Sequence, residues 1–193
     1  DVTFHNVALT RMTGSTYAAC LLYVQNATAL LDDVELLDGY NGNHTVDDGG
    51  SALYVASGAE VTMTNNTLVR DNKPVGSSTS GAVFVQEAGH LTITGAEIRG
   101  NGDALYGDGI YVQDGGELDI YSEGNVISVE DEIYLEAGSS ATVGAADGQS
   151  GNVTLSYVFL ETEPTDTKLM ATLDISGETT ASDINIEVDL DNG

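Results

Sequence analysis

The 193-residue sequence has no tryptophan, one cysteine, two prolines and only five basic residues. Each shortage closes off a class of protein. With Cys20 alone, no internal disulfide forms and no thiolate zinc cluster can be assembled. As a nucleophile Cys20 would need a partnered base, and a small buried side chain is the expected role. Five Lys and Arg stand against 31 Asp and Glu, for a net charge of −26. Such a surface repels nucleic-acid phosphates and anionic lipid, so neither is an expected partner. No apolar run is long enough to span a bilayer, and no signal peptide is visible. Disorder is excluded too, because the 41% of hydrophobic residues arrive in short strand-like bursts.

What the chain does have is one phrase repeated. "GIYVQDGGELDIYSEGN" at 109–125 follows "ALYVASGAEVTMTNN" and "AVFVQEAGHLTITGA". Three columns align. The first is Tyr23, Tyr54, Phe84, Tyr111 and Tyr134, and the second is Phe4, Leu31, Met63, Ile93, Ile120 and Val143. The third is Leu9, Leu36, Leu68 and Ile98. The columns advance together by 23 to 32 residues, as in a solenoid whose insertions fall in loops. Period-two alternation with glycine at the junctions predicts short strands and tight corners. Stacking such coils in parallel satisfies the backbone of strands too short to stand alone. The expected fold is all-β: a parallel β-helix of about six coils, rising roughly 4.8 Å per coil.

The alternation also assigns faces. The neighbours of the aromatic column are aliphatic: Leu22 and Val24, Leu53 and Val55, Val83 and Val85, Ile110 and Val112, Ile133 and Leu135. On the aromatic side lie Gln25, Gln86, Gln113, Glu132 and Glu136. Period two therefore sends the aliphatics inward and the rings outward. An outward ladder of five rings would expose an apolar stripe, and such stripes mark contact surfaces. Tyr23, Tyr54, Phe84, Tyr111 and Tyr134 are thus a candidate contact stripe for a sugar or another protein.

"DVTFHNVALTR" superposes on "EVTMTNNTLVR" at 60–70 without a gap, so the chain opens inside a coil. It is expected to be a piece of something longer, with its first coil covered by flanking coils or by another copy of itself. Beyond Ser156 the phrase stops. Residues 1–156 are expected to form the helix and 157–193 a β-rich cap, a small module or a strand donated to a neighbour.

The segment "GAVFVQEAGHLTITGAEIRGNGDALYGDGIYVQDGGELDI" resembles the repeats of large microbial surface proteins with a right-handed, pectin-lyase-like β-helix. Autotransporter-like and polymorphic-membrane-protein-like adhesins share a "GG-x-[IV]-[YF]-V" phrase followed by "T-[MI]-T-x-x-x-I-x-x-N". The likeness covers residues 1 to 154. The glycine pair is intact only at Gly49-Gly50, and is altered at Ser80-Gly81 and Asp108-Gly109. The resemblance implies right-handedness and a non-catalytic, extracellular stalk, coat or adhesin segment at a cell surface.

The same fold houses polysaccharide lyases and hydrolases. A lyase of that type needs a strong base, and only Arg11, Arg70, Arg99, Lys73 and Lys168 are available. Arg11 and Arg70 are expected at equivalent repeat positions, with Arg99 one residue earlier in its strand, which suits a structural role. A hydrolase needs two carboxylates at a set separation. Asp32-Asp33, Asp47-Asp48 and Glu130-Asp131-Glu132 are candidates, but none has an Arg or His motif beside it. His5, His44 and His90 lie in separate segments. No catalytic residues and no cofactor are expected. The loop "DGYNGNHTVDDGG" at 38–50 offers oxygens that suit a weak Ca²⁺ site, without the spacing of an EF-hand. Four N-x-[ST] sequons place candidate glycosylation at Asn26, Asn43, Asn65 and Asn152.

Overall fold

The computed structural model describes residues 1–11, 20–41, 50–74, 81–102, 107–145, 153–161, 172–175 and 184–188. Among them there are strands and corners and no helix, and hence no helix long and apolar enough to cross a membrane. Among the described residues the strands pair in parallel, as expected when successive coils stack.

The coils are easiest to follow from the second column. The strands β1 (Val2–Thr10), β3 (Thr28–Leu37), β6 (Glu60–Thr64), β10 (His90–Ile93), β13 (Glu117–Ser122) and β15 (Ser140–Ala145) stack one above another. Their registers place Phe4, Leu31, Met63, Ile93, Ile120 and Val143 in one line, as the sequence columns require. The aromatic strands β2 (Leu22–Val24), β5 (Leu53–Val55), β9 (Val83–Val85) and β12 (Ile110–Val112) form the next wall. That wall continues into the second half of β14 (Ile127–Leu135). The third wall joins the end of β3, β7 (Thr67–Arg70), β11 (Ala96–Arg99) and the start of β14. Two short strands, β4 (Tyr40–Asn41) and β8 (Lys73–Pro74), pair beyond it.

One expectation changes. Val69, not Leu68, lies in register with Leu36 and Ile98. The corner before it holds two left-handed residues, Asn65 and Asn66, where the preceding coil has only Asp33. That extra residue shifts the third strand by one. It also puts Arg70 opposite Arg99 and Leu37, while Arg11 follows Thr10, which pairs with Leu37. Arg70 and Arg99 are therefore the equivalent pair, and Arg11 is equivalent to Asp38 and Asp71.

The stack also does not stop at Ser156. The strand β16 (Val153–Leu160) runs across the expected boundary, and Val158 to Leu160 pair with Ile133 to Leu135. Beyond it β17 (Thr172–Ile175) pairs with β15, and β18 (Ile184–Val188) pairs with β16. The described strands of 157–193 thus pair in parallel with the strands before them. In β16, Val158 is buried and Leu160 packs against the aliphatic core.

Inside, Leu31, Leu36, Leu53, Met63, Leu91, Ile93, Ile98, Ile110, Leu118, Ile120 and Ile127 are fully buried in one continuous core. Burial of such side chains contributes roughly 1.5–3 kcal/mol each. The first coil is the exception. Val2 and Val7 are exposed, and Phe4 and Leu9 are only partly covered.

Candidate functional site

The aromatic column is the first feature to place. Its rings stack in register at centroid distances of 4.9 Å for Tyr23–Tyr54 and Tyr54–Phe84, 5.6 Å for Phe84–Tyr111 and 5.1 Å for Tyr111–Tyr134. A sixth rung, Phe159, lies 4.9 Å beyond Tyr134. The rings form an apolar cluster separate from the aliphatic core, on the opposite face of the same strands. To that extent the alternation assigned them well.

They are not an exposed stripe. Tyr54, Phe84, Tyr111 and Tyr134 are at most 8% exposed, and only Tyr23, at the first rung, is open at 52%. The backbone explains part of the cover. Gly50 and Gly107 adopt left-handed φ of 76° and 59°. A Cβ on Gly50 would lie 3.3 Å from the Phe84 Cβ, and one on Gly107 would lie 3.0 Å from that of Tyr134. The chain thus passes close to the base of the ring column at glycines, where an added Cβ would meet the Leu53 and Ile110 carbonyl oxygens first, at 2.4 and 2.7 Å. Cys20 packs against the same cluster, and burial pushes its thiol up to about 11, which leaves it protonated and unreactive at neutral pH.

Two polar ladders run along the corners. In one, Asn72 donates from Nδ2 to the Leu36 carbonyl at 3.0 Å and to Asn101 Oδ1 at 2.9 Å. Its Oδ1 accepts the Gly39 amide at 2.7 Å. Asn101 donates to the Val69 carbonyl at 3.0 Å and to Asp131 Oδ2 at 2.8 Å. Both asparagines are buried, and each satisfies backbone groups that the corner would otherwise orphan.

In the second ladder, Gln86, Gln113, Glu136 and Glu161 accept the amides of Ser57, Glu87, Asp114 and Ala137 at 3.0, 3.4, 3.1 and 3.2 Å. Each side chain therefore ties its coil to the preceding one. Glu136 is half-buried, and burial raises its pKa against the lowering effect of the Asp114 amide and the Tyr111 hydroxyl. The ladders escaped the column reading because amides and acids at corners resemble ordinary turn residues; the spacing of Gln86 and Gln113 was their one signal.

Several of the remaining candidates are similarly engaged. Asp32 accepts from Asn65 Nδ2 at 2.7 Å and bonds His5 Nδ1 at 2.7 Å, and these contacts lower its pKa, Asn65 first. Asp131 also accepts the Gly100 amide at 3.0 Å, and Glu132 accepts the Gly107 amide at 2.6 Å. His90 bonds Asp119 at 2.9 Å. Arg70 pairs with Asp71, and Arg99 with Glu97. Among the described residues no three His, Cys, Asp or Glu side chains converge as a metal site. Of the 38–50 loop, residues 42–49 lie outside the described residues, as do Asp47, Asp48 and His44. Of the sequons, Asn26 and Asn65 are exposed at left-handed corners with φ of 49°, while Asn43 and Asn152 lie outside the described residues.

One cleft, of about 280 Å³, opens beyond the third wall. It is lined by Arg11, Asp38, Gly39, Tyr40, Asp71 and Lys73. The fold assembles it from successive rungs. Tyr40 and Lys73 are register partners in β4 and β8. Asp38 and Asp71 are equivalent corner residues with left-handed φ of 56° and 57°. The Arg11 guanidinium lies 4.7 Å from the centre of the Tyr40 ring.

No curated protein and no solved structure matches this chain. The family described as a right handed beta helix region matches residues 1–156, most of the length over which the coils stack. The chain belongs to the right-handed β-helix family.

Proposed function

We propose that this protein is a non-catalytic structural and adhesive module, an extracellular segment of a cell-surface stalk, coat or fibre. One observation carries the reading: the side chains best suited to chemistry are used to join coils. Asp32, Asp131, Glu132, Glu136, Glu161, His5 and His90 all hold bonds to other coils. Carboxylates fixed in this way maintain a rod and are poorly placed to trade protons with a substrate.

The exposed Val2 and Val7 on β1 supply a surface for further coils or for another copy of the chain to cover, head to tail. A glycan-binding module using the Tyr ladder was the other expectation, and burial of four of its five rings removes the support for it. Negative-stain imaging of the purified chain across a concentration series tests the assembly. Rods that lengthen with concentration are expected, and compact monomers throughout would overturn it. Turnover of pectin, alginate or chitin in the presence of Ca²⁺ would overturn the non-catalytic part.

A further inference from the structure

The ring column is continuous, and that sets it apart from an ordinary apolar cluster. From Tyr23 to Phe159 no two successive ring centres lie more than 5.6 Å apart. The planes are tilted by 32° and 43° at the first two contacts, and by only 11°, 6° and 12° at the next three. Rings this close overlap through their π-systems. Electronic coupling falls steeply with distance, so an unbroken stack is the easiest path for an electron along the coils.

The rungs of that path differ. Tyr23 is open to solvent, whereas Tyr54, Phe84 and Tyr111 are covered. A ring that loses an electron becomes positively charged, and a charge in a dry apolar cluster is costly unless it is neutralised. A phenol neutralises itself by releasing its proton, provided an acceptor is within hydrogen-bond reach. Tyr111 has one, because its hydroxyl donates to the Glu136 carboxylate. Burial raises the pKa of Glu136, so it holds an arriving proton better than a surface carboxylate does. Phe84 has no hydroxyl, and its ring is harder to oxidise. It serves as a bridge between Tyr54 and Tyr111 rather than as a stopping place.

We propose that the ring column relays one oxidising equivalent inward, from the open Tyr23 to the Tyr111–Glu136 pair, where a neutral tyrosyl radical comes to rest. The co-reactant is a one-electron oxidant in solution. It takes an electron from Tyr23, whose phenol proton goes to water. An electron then passes from Tyr111 through Phe84 and Tyr54 to Tyr23, which regains a proton from water. The O–H bond of Tyr111 breaks, its proton passes to Glu136, and the ring is left as the neutral radical. The oxidant has gained one electron, Tyr111 has lost one, and Glu136 has gained one proton. A radical held under cover is kept from coupling with a phenol of another molecule, which makes the relay a device against oxidative cross-linking.

The test uses the whole chain, oxidised by photo-generated tris-bipyridine ruthenium(III) and followed by freeze-quench electron paramagnetic resonance. A long-lived tyrosyl signal is expected. Tyr23→Phe and Tyr111→Phe should each abolish it, the first by closing the entry and the second by removing the resting place. Both keep the packing, since Phe84 and Phe159 already serve as rungs. Glu136→Gln keeps the ladder, since Gln86 and Gln113 hold that place in earlier coils. It removes the proton acceptor and should shorten the signal's lifetime roughly tenfold. Tyr40→Phe, outside the column, should change nothing. The proposal is overturned if the native chain gives no long-lived signal, or if that signal survives Tyr23→Phe or Tyr111→Phe. It is equally overturned if Glu136→Gln leaves the lifetime unchanged, or if Tyr40→Phe abolishes the signal. The relay needs no assembly, so its failure leaves the rod hypothesis standing, and failure of rods to form leaves the relay standing.

Discussion

The first strand of each coil carries two columns on opposite faces, and both end up out of water by different means. The aliphatic column, Leu53, Val83, Ile110 and Ile133 among it, faces the interior, where three walls enclose it. The aromatic column, Tyr54, Phe84, Tyr111 and Tyr134, faces away from that interior and is buried all the same. Alternation fixes which face a side chain takes. Whether that face meets solvent depends on where the chain travels next. Here Gly50 and Gly107 lie close against the bases of Phe84 and Tyr134, and the rings cluster as a second, thinner core. The difference shows that an outward face in a solenoid is not yet a surface.

That comparison breaks most sharply at Phe84, the ring with least exposure. If the ring column is a second core, Phe84→Ala should cost about 3–5 kcal/mol in chemical denaturation, on a par with a core truncation. Tyr23→Ala, at the open rung, should cost less than about 1 kcal/mol. Equal small losses at both positions would make the column a surface after all.

The next effect belongs to the corners that link the two columns. Asn72→Ala removes partners of the Gly39 amide and the Leu36 carbonyl in a buried place. About 2–3 kcal/mol of stability should be lost, since orphaned buried backbone groups cost roughly 1–3 kcal/mol each. Asn72→Asp should not restore it, because the donor to Leu36 stays absent.

A smaller change runs the other way. Ala88 holds a left-handed φ of 57° at the corner where later coils place Gly115 and Gly138. Ala88→Gly relieves that conformation and should raise stability by about 0.5–1 kcal/mol in the same assay.

The smallest effect is at Glu136, which takes the place that Gln86 and Gln113 hold in earlier coils. Its pKa is raised by burial, with Glu161 and Asp114 adding to the rise. The folded value therefore lies above the unfolded one, and the ionised group opposes folding at neutral pH. That cost disappears as pH falls through the folded pKa. Glu136→Gln should raise stability at pH 7 by less than about 1 kcal/mol and flatten this part of the pH profile. Asp32 has the opposite sign: its pKa is lowered, chiefly by Asn65, so its contribution is present above the unfolded pKa and is lost as pH falls through the folded one.

Much of the fold is written in the sequence, and its limits are physical. The first and second columns stand in register as aligned, because a one-residue slip would turn every inward aliphatic outward. The third column slipped at Leu68 because an added left-handed Asn at a corner leaves no apolar mark. Phe159 was passed over because "SYVFLETE" lacks the glycine junctions of earlier coils, though its ring continues the stack. The cleft was least legible. Arg11 meets Tyr40 only because the coil registers bring residues from different turns together, and no local motif encodes that meeting.

Nitration of the native protein, with each tyrosine followed by mass spectrometry, tests the stacked and covered ring column most directly. Tyr23 should be modified readily and Tyr54, Tyr111 and Tyr134 spared until denaturant is added. Nitration of all four at the same rate in the folded protein would contradict the account.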